Sequence, residues 1–422
     1  MSPALQDWLL RLTKQHPKTI DMGLERVSLV ADRFLLQGFP MPVITVAGTN
    51  GKGTCVAALE AIYLQQGYQV ASYTSPHLVQ FNERIRINRQ PLSDDLLIDA
   101  FTHVEQARQG TSLTFFEFTT LAALWIFYHA NVDVMLLEVG LGGRLDAVNV
   151  VDADVAVITS VGHDHMDYLG PDLDSIGREK AGIFRLRKPV VYGDDNPPTA
   201  VMKEVARLHT PLYLYGREFE IDSSGKQWMW RGIKADGEKL QIPLHTSQLN
   251  KSAIACAMQA AELLSAQLPV SSQALASGSI QRLAGRFSVI SENPLQVLDV
   301  AHNKPAIAAL FEKLYEDYPE AGEVHVLFAM LQNKDILGSI EQVKGNICAW
   351  HLVPLVDDRA LGTSDLAHII KAGDPDANIY CYQSALEAWH GAQRQSGDKP
   401  IIVFGSFVLI GDLMRELNLS VD

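Results

Sequence analysis

The sequence predicts an α/β protein of two domains, each built on a mainly parallel β-sheet. Short apolar runs rich in β-branched residues alternate with helical patterns along most of the chain, and this order is typical of parallel sheets. The alternation starts again after a stretch rich in Gly, Pro and polar residues at 285–294. A chain of 422 residues is also too long for one core. We therefore expect a larger domain at residues 1–287 and a smaller Rossmann-like α/β domain at residues 288–422.

The first strand leads into a glycine-rich loop. Residues 43–47 are apolar and β-branched, and the helical pattern after the loop ends at Gly67, a typical C-cap residue. Such a turn at a helix N-terminus offers backbone N–H groups and partial positive charge to an anion, and Lys52 adds a full charge. The loop departs from G-x-x-x-x-G-K-[ST] because Val46 stands at the first glycine position and Gly53 follows the lysine. We interpret the loop as the phosphate-binding loop of a first domain of the P-loop ATPase type. The alternative interpretation is an ordinary Gly-Lys-Gly turn without a ligand. The loop comprises Gly48, Thr49, Asn50, Gly51, Lys52, Gly53 and Thr54.

The other elements of the first domain follow the same rhythm. Helices are predicted within 4–38, at 93–109, in an apolar stretch ending near Tyr128, and at 174–184 and 249–264. Strands are predicted at 68–73, 84–87, 132–137, 154–161 and 189–192. Alternating residues and Ser-Ser-Gly and Asp-Gly turns at 212–244 predict a small antiparallel β insert. In the second domain strands are predicted at 296–301, 324–331, 347–355, 378–383 and 399–404, with helices between and after them.

The composition excludes two classes of main partner. The formal net charge is −14 without a Lys/Arg-rich run, which argues against nucleic acid and anionic membranes. No apolar run approaches the ~18 residues that span a bilayer, and the first residues lack a secretory signal pattern. Four scattered cysteines without a CxxC pair indicate neither a disulfide framework nor a zinc site. We expect a cytoplasmic protein without a nucleic-acid or membrane partner.

Polar residues follow several of the predicted strands. Glu138 ends a buried strand downstream of the phosphate loop, where a carboxylate that organises Mg²⁺ is expected. The segment 162–167 holds two His and two Asp, which indicates either a metal cluster or a capped polar strand end. Taken alone, residues 21–26 are typical of a solvated turn, and the aromatic residues at 115–118 are typical of core. Residues 299–303 follow the first strand of the second domain, the position where ligands bind in such sheets.

Together these motifs resemble the folylpolyglutamate synthase family, specifically its bacterial bifunctional dihydrofolate synthases, and more distantly the Mur ligases. The resemblance covers nearly the whole chain, and the order and spacing of the motifs make it specific although each motif alone is weak to moderate. The motifs are Gly48–Thr54, Ser75–Leu78, Leu137–Asp146, Asp164-His165, Arg178–Phe184, Gly285–Phe287 and Asp299–Asn303.

The resemblance implies a ligand set. ATP and Mg²⁺ are the implied cofactors, with the phosphate loop on ATP. Lys180 is carbamylated in this family, which turns an ammonium into a carboxylate-like group, and we take His302 as the base for the glutamate amine. The implied Mg²⁺ ligands are Ser75, Glu138 and His165, and the further nucleotide contacts are Asn250, Arg286 and Asp299. The implied dihydropteroate contacts, which replace the turn and core interpretations above, are Asp21, Met22, Gly23, Leu24, Glu25, Arg26, Thr114, Phe115, Phe116, Glu117, Arg144, Leu145 and Asp146.

The implied activity is an ATP-dependent amide ligase. It would add L-glutamate to dihydropteroate and to tetrahydrofolates through an acyl phosphate, with small molecules as partners, and we expect a monomer. A P-loop binding or regulatory protein is the alternative of another class, and the motifs at 285–287 and 299–303 argue against it. A Mur ligase is disfavoured because about 40 residues precede the phosphate loop, too few for the extra N-terminal domain of those enzymes.

Overall fold

The fold has two units, Met1–Gln281 and Arg282–Asp422. The computed structural model describes residues 1–34, 38–225, 227–357 and 359–420. The expected boundary lay after residue 287, whereas residues 282–287 group with the second unit. Two backbone contacts account for this, because the N–H of Val300 donates to the Gly285 carbonyl (2.9 Å) and the N–H of Phe287 donates to Asp299 (2.7 Å).

The first unit is organised around a sheet with the order β4-β3-β2-β5-β1-β6-β7-β8. All neighbours from β2 to β8 are parallel, and β3 and β4 add an antiparallel edge. The first strand in the sequence, β1, is therefore central, and its carboxyl end lies between those of β5 and β6. Ligands bind at this position in open α/β sheets. The strands are β1 (Val43–Ala47), β2 (Val70–Tyr73), β3 (Ile85–Ile87), β4 (Gln90–Pro91), β5 (Val134–Glu138), β6 (Val155–Ile158), β7 (Val190–Tyr192) and β8 (Leu212–Leu214).

Helices cover this sheet and bury its apolar strands. The β1 residues are all buried, as are most residues of the helix that follows it, so the phosphate-loop helix is a core element. The helices of the first unit are α1 (Pro3–Thr13), α2 (Glu25–Ala31), α3 (Lys52–Gln66), α4 (Asp94–Arg108), α5 (Phe115–His129), α6 (Met166–Leu169), α7 (Leu173–Ala181), α8 (Thr199–Leu208), α9 (Lys251–Leu263) and α10 (Ser272–Ser277). Two single-turn 3-10 helices, Phe81–Arg84 and Ala147–Val150, complete it.

The predicted antiparallel insert is present, with a smaller extent. Three strands, β9 (Glu220–Asp222), β10 (Trp228–Ile233) and β11 (Lys239–Leu244), pair antiparallel. Residues 212–214 instead form β8 of the main sheet, parallel to β7. Residue 226, within the predicted insert, lies outside the described residues.

The second unit contains a six-stranded sheet of order β12-β13-β17-β14-β15-β16. Only β12 runs antiparallel to its neighbour, so the predicted Rossmann-like alternation is confirmed. The strands are β12 (Ser288–Glu292), β13 (Leu295–Leu298), β14 (Val324–Phe328), β15 (Ile347–Leu352), β16 (Ile379–Cys381) and β17 (Ile401–Phe404). The helices are α11 (Lys304–Asp317), α12 (Ile336–Glu341), α13 (Thr363–Gly373), α14 (Ala385–Ser396) and α15 (Phe407–Glu416).

Within the predicted helical region 4–38, the structure contains two helices separated by a non-helical stretch. Helix α1 ends at Thr13, and residues 14–24 form turns and irregular chain before α2, while residues 35–37 lie outside the described residues. The break sets Asp21 in a loop and Arg26 in the first turn of α2, where their side chains can meet other segments. None of the helices in the described part of the chain combines the length and apolar surface that a bilayer crossing needs.

Candidate active site

The phosphate loop is braced by two hydroxyl residues at the end of β6. Thr159 Oγ1 donates to the Asn50 carbonyl (2.6 Å), and Ser160 Oγ accepts the Asn50 N–H (2.9 Å). A Cβ on Gly48 would lie 1.9 Å from Thr159 Oγ1, so only glycine fits there. The close approach of β1 and β6 thereby fixes the loop and leaves its remaining N–H groups at the start of α3 for an anion.

Lys52 folds over this loop. Its ammonium donates to the carbonyls of Gly48 (3.0 Å) and Thr49 (3.3 Å), which keeps the charge at the mouth of the loop. Gly51 takes the left-handed conformation (φ 87°) that turns the chain into α3, and a Cβ there would lie 3.1 Å from Ala253. The first turn of α9 therefore packs on the loop. Asn250 caps that turn by accepting the Ala253 N–H (2.9 Å), which sets this predicted nucleotide contact beside the phosphate site.

Two of the predicted Mg²⁺ ligands meet at the same place. Glu138, at the end of β5, is 5% exposed, and its Oε2 accepts the N–H of Ser75 (3.3 Å). A Cβ on Gly53 would lie 4.0 Å from that oxygen, so the pair borders the loop. A carboxylate and a hydroxyl are hard oxygen donors, which suit Mg²⁺ when phosphate and water complete its shell.

The third predicted ligand, His165, lies at the N-terminus of α6 in a left-handed conformation (φ 52°). Its backbone N–H donates to Asp164 Oδ1 (2.9 Å), and its Nε2 is 3.9 Å from the same oxygen. Across the described residues no three His, Cys, Asp or Glu side chains form a metal-binding group. This finding argues against a metal cluster formed by 162–167 alone, and the Asp164 contact is a local cap of the kind expected at a polar strand end.

Lys180 and Asp146 are charged groups in the core of the site. Lys180 on α7 is 3% exposed, and burial, with repulsion from Lys52, lowers its pKa to about 7, while Asp164 and Asp146 oppose that shift. Burial raises the pKa of Asp146 to about 6 even though backbone N–H groups stabilise its charge. Those groups belong to Leu141 (2.8 Å) and Val148 (3.0 Å), so Asp146 holds the glycine-rich loop 140–146 in place.

The three segments predicted to contact dihydropteroate come together. Arg26 links the first two, since Nη1 pairs with Asp21 (2.8 Å) and Nη2 donates to Glu117 Oε1 (2.9 Å). Glu117 in turn forms a capping box with Thr114 at the start of α5. The remaining predicted contacts on these segments and on the third are Gly23, Leu24, Glu25 and Leu145, which lie next to these residues in the chain.

The loop that leads into the third segment contacts the other two segments through the Phe116 ring and the Met22 methyl group. A Cβ on Gly140 would lie 2.7 Å from the Phe116 ring, and one on Gly142 would lie 3.6 Å from the Met22 methyl group. Phe115 packs on the Phe81 ring (6.0 Å), with the Arg84 guanidinium 5.5 Å from its own ring. Phe115 and Phe116 are both half-buried. They pack on the core and also present ring surface, so the core interpretation is only partly right.

The predicted residues of the second unit also gather around one ring. The Arg286 guanidinium lies 5.0 Å from the Phe407 centroid, and the His302 ring lies 5.6 Å from it. The two oxygens of Asp299 accept the N–H groups of Phe287 and Ala301 (2.7 Å each), and burial raises the pKa of this carboxyl while Arg286 opposes the shift. His302 Nδ1 donates to the Val300 carbonyl (2.9 Å), which fixes the orientation of the ring.

Comparison with known proteins identifies the family. Residues 46–261 match the Mur ligase middle domain, and residues 285–407 match the Mur ligase glutamate ligase domain. The dihydrofolate synthase/folylpolyglutamate synthase of Escherichia coli is 40% identical over 98% of this chain and 96% of its own length. The corresponding protein of Haemophilus influenzae is 36% identical over 97% and 96%.

The chain belongs to the dihydrofolate synthase/folylpolyglutamate synthase family.

Solved structures of this family share the fold over the full length. The E. coli protein in complex with DHPP and ADP is 39% identical, has a TM-score of 0.90, and each chain covers 99% of the other. A bifunctional folylpolyglutamate synthase/dihydrofolate synthase with Mn, AMPPNP and L-glutamate bound has a TM-score of 0.88 at 39% identity, again with 99% coverage of both chains. The family resemblance and the fold class drawn from the motifs are confirmed.

Some structural parts of this dihydrofolate synthase/folylpolyglutamate synthase site were not predicted from the sequence. For Thr159 and Ser160, which brace the phosphate loop, the sequence predicts only a position at the end of a strand. The sequence predicts only a helical position for Glu179. In the structure this side chain accepts two N–H groups of Arg144 (2.8 and 3.1 Å). A polar residue at the end of a strand that neighbours β1 was the available signal for the first pair, whereas Glu179 offered none.

Proposed function

We propose that this chain is an ATP-dependent ligase that joins L-glutamate to dihydropteroate, forming dihydrofolate, and to tetrahydrofolates, extending their polyglutamate chains. The observation that carries the proposal is the meeting of residues 21–26, 114–117 and 140–146 in the same unit as the phosphate loop. The homologous E. coli protein binds DHPP and ADP, according to its structure's description. The half-buried rings of Phe115 and Phe116 suit a flat aromatic acid.

In the first step a carboxylate oxygen of the pteroate or folate attacks the γ-phosphorus of ATP. A P–O bond to the acceptor forms, the bond to ADP breaks, and an acyl phosphate results. Both reactants are anions, so repulsion dominates the barrier. Lys52 and the N–H groups at the start of α3 stabilise the charge that passes to ADP, and Asn250 lies beside this loop. Arg286 and Asp299 remain predicted nucleotide contacts.

Magnesium fits the oxygen donors at this end of the sheet. Ser75 and Glu138 would hold it, with His165 as the third ligand, and the ion would neutralise phosphate charge when bound. Carbamylated Lys180 would add a carboxylate-like group that accepts hydrogen bonds from metal-bound water. The Glu138 carboxylate is already buried beside the phosphate loop.

In the second step the amine of glutamate attacks the acyl carbon. A C–N bond forms, the C–O bond to phosphate breaks, and inorganic phosphate leaves. The amine loses a proton to a base, for which His302 remains the predicted residue. The acyl phosphate would hydrolyse in contact with water, so the acceptor site has to exclude it.

We further propose a monomeric, cytoplasmic enzyme. The described cysteines, Cys55, Cys256, Cys348 and Cys381, are all free thiols, which suits a reducing compartment. Size-exclusion chromatography with light scattering tests the monomer, and a single species at twice the chain mass would contradict it.

Replacement of Lys52 by Ala tests the phosphate site. We expect turnover to fall by roughly a hundredfold to a thousandfold, since the variant loses a charge at the transferring phosphate. The Tm should stay close to that of the parent protein, because the ammonium contacts only loop carbonyls. The exposed Lys203 on α8 gives the matched control, Lys203→Ala, with unchanged activity expected. Full activity of Lys52→Ala would refute the assignment of the loop.

ADP release tests the acceptors. Purified protein receives ATP, Mg²⁺ and glutamate, with dihydropteroate in one reaction and tetrahydrofolate in the other. ADP release in both supports both activities. Release with one acceptor alone limits the enzyme to that activity, and no release in either, with ATP still bound, would refute the ligase assignment.

A further inference from the structure

Glu179 carries a carboxylate oxygen that the fold leaves unused. It lies on α7, and its Oε1 receives both the Nε–H and the Nη2–H of Arg144 (3.1 and 2.8 Å). Its Oε2 is buried and has no hydrogen-bond partner among the described residues. A buried acceptor without a donor is energetically unfavourable. Folded proteins seldom leave such a group unpaired, and an oxygen like this points to a ligand that brings the donor.

The base of the Glu179 side chain borders the segments predicted to contact the acceptor, here called the first (21–26), second (114–117) and third (140–146) acceptor segments. A single point, the Cβ position of Gly142, lies 3.6 Å from the Glu179 Cβ, 3.6 Å from the Met22 methyl group and 2.9 Å from Leu169 Cδ2. The glutamate side chain is 15% exposed, so it is largely shielded from water. It therefore lies at the junction of the first and third acceptor segments, among apolar groups that strengthen a hydrogen bond.

The first acceptor segment is held rigidly toward this junction. Arg26 Nη2 donates to the Asp21 carbonyl (2.7 Å) as well as to Glu117, and its Nη1 pairs with the Asp21 carboxylate. Met22 follows Asp21 directly, so its methyl group is held against Gly142. Several charged hydrogen bonds therefore hold the first acceptor segment next to Glu179.

We propose that Glu179 recognises the heterocycle of the acceptor, with Oε2 accepting an N–H of its amino-pyrimidinone ring. This inference rests on the proposed function, which makes the acceptor a pteroate or folate. Such a ring presents an exocyclic amino group and a ring N–H on one edge, both donors only. Arg144 occupies Oε1, so it orients the carboxylate and leaves one oxygen for one donor. Glu179 is thereby a specificity-determining residue that touches the substrate at the end remote from the reacting carboxylate.

The test combines a variant with a substrate analogue. Glu179→Gln keeps the size of the side chain but replaces one of the two carboxylate oxygens by an amide NH₂ group. That NH₂ group is a hydrogen-bond donor, and it faces another donor, either on Arg144 or on the heterocycle. We expect the KM for dihydropteroate to rise about tenfold to a hundredfold, with the KM for ATP unchanged and kcat little altered. An acceptor that lacks the 2-amino group should lose a similar factor with the parent protein and little with Glu179→Gln.

Two further variants separate recognition from support of the fold. Glu204 on α8 receives two N–H groups of Arg207 (2.5 and 2.9 Å) on the surface, so Glu204→Gln breaks a matched ion pair and should leave all constants unchanged. Arg144→Gln removes the partner of Glu179 but keeps the carboxylate. It should weaken binding of both acceptors while preserving the preference for the 2-amino compound.

Two results would overturn the role of Glu179, and a third would overturn the proposed function. The proposal is overturned if the parent protein binds the analogue without the 2-amino group as tightly as dihydropteroate, a measurement that needs no variant to fold. It is also overturned if Glu179→Gln keeps the preference, which would mean that a bound water satisfies Oε2. Failure of the proposed function looks different, because the parent protein would then release no ADP with any pteroate.

Discussion

Lys180 allows a sharp test of the proposed chemistry, because its amine is buried beside a second lysine. The side chain is 3% exposed, and burial with repulsion from Lys52 lowers its pKa from 10.5 to about 7. At about pH 7.5 an amine with that pKa is roughly three-quarters neutral, against about one in a thousand at the ordinary value. Only the neutral amine has the lone pair that attacks CO₂. The environment therefore raises the reactive fraction several hundredfold.

Removal of CO₂ tests whether the enzyme needs a carbamate on Lys180. The neutral amine adds to the carbon of CO₂ and releases one proton, which leaves a carbamate on Lys180. We expect protein stripped of CO₂ at mildly acidic pH and assayed in CO₂-free buffer to lose at least about tenfold of its ligase rate. Bicarbonate should restore the rate, because the carbamate replaces a cation near the metal ligands by an anion.

The assay follows the carbamate and the rate in the same sample. Protein equilibrated with ¹³C-bicarbonate should show one carbamate carbon signal that disappears in Lys180→Arg, which keeps the positive charge but forms no carbamate. That variant should be inactive at every bicarbonate concentration. Lys203→Arg, on the exposed face of α8, gives the matched control and should retain both the signal and the rate.

Two results would refute the reasoning. One is parent protein that is fully active in CO₂-free buffer and shows no carbamate signal. The other is Lys180→Arg with the parent rate. If Lys180→Arg fails to fold, as its Tm would reveal, Lys180→Glu provides the same test with a carboxylate, and partial activity independent of bicarbonate is then expected.

Further predictions concern the loop and the second unit. Gly48→Ala sets a Cβ 1.9 Å from Thr159 Oγ1, so ATP affinity should fall at least about tenfold; Gly373→Ala, whose nearest neighbour is at 3.7 Å, gives the control in isothermal titration calorimetry. His325 and His351 share a buried hydrogen bond (3.0 Å), and burial lowers the pKa of His351 from 6.5 to about 4. The unfolded chain then binds more protons between these values, so stability should be complete above pH 6.5 and fall by up to roughly 3 kcal/mol toward pH 4. Urea unfolding across this range should show the fall in the parent protein and a smaller one in His351→Gln.

The strand, loop and helix around Lys52 could be predicted because their signals are local. Apolar β-branched residues, a glycine-rich turn and a glycine C-cap each act within a few residues of the chain. Capping residues were equally accessible, and Ser93 and Asn250 cap the helices expected of them. These features require no knowledge of which strands are neighbours.

Features that depend on strand neighbours could not be predicted in the same way. Thr159 reaches the Asn50 carbonyl only because β6 lies beside β1, and the sequence does not encode that pairing locally. Asp146 was expected to contact substrate, yet both of its oxygens accept N–H groups of its own loop and the following turn. The extent of the non-helical stretch 14–24 could not be predicted, because apolar residues on both sides keep a helical spacing.

The charges around the phosphate loop explain why two lysines occupy one small site. Lys52 lies on the loop itself, where a permanent cation suits phosphate. Lys180 lies close enough for that charge to lower its pKa, and Asp146 and Asp164 oppose the shift. A second ammonium there would repel a divalent cation held by Glu138. Conversion of Lys180 to a carbamate would change the local charge by two units, and under the proposed function one lysine would then serve the nucleotide and the other the metal. The same burial that makes the ammonium costly makes the amine reactive, and a surface lysine could not combine these properties.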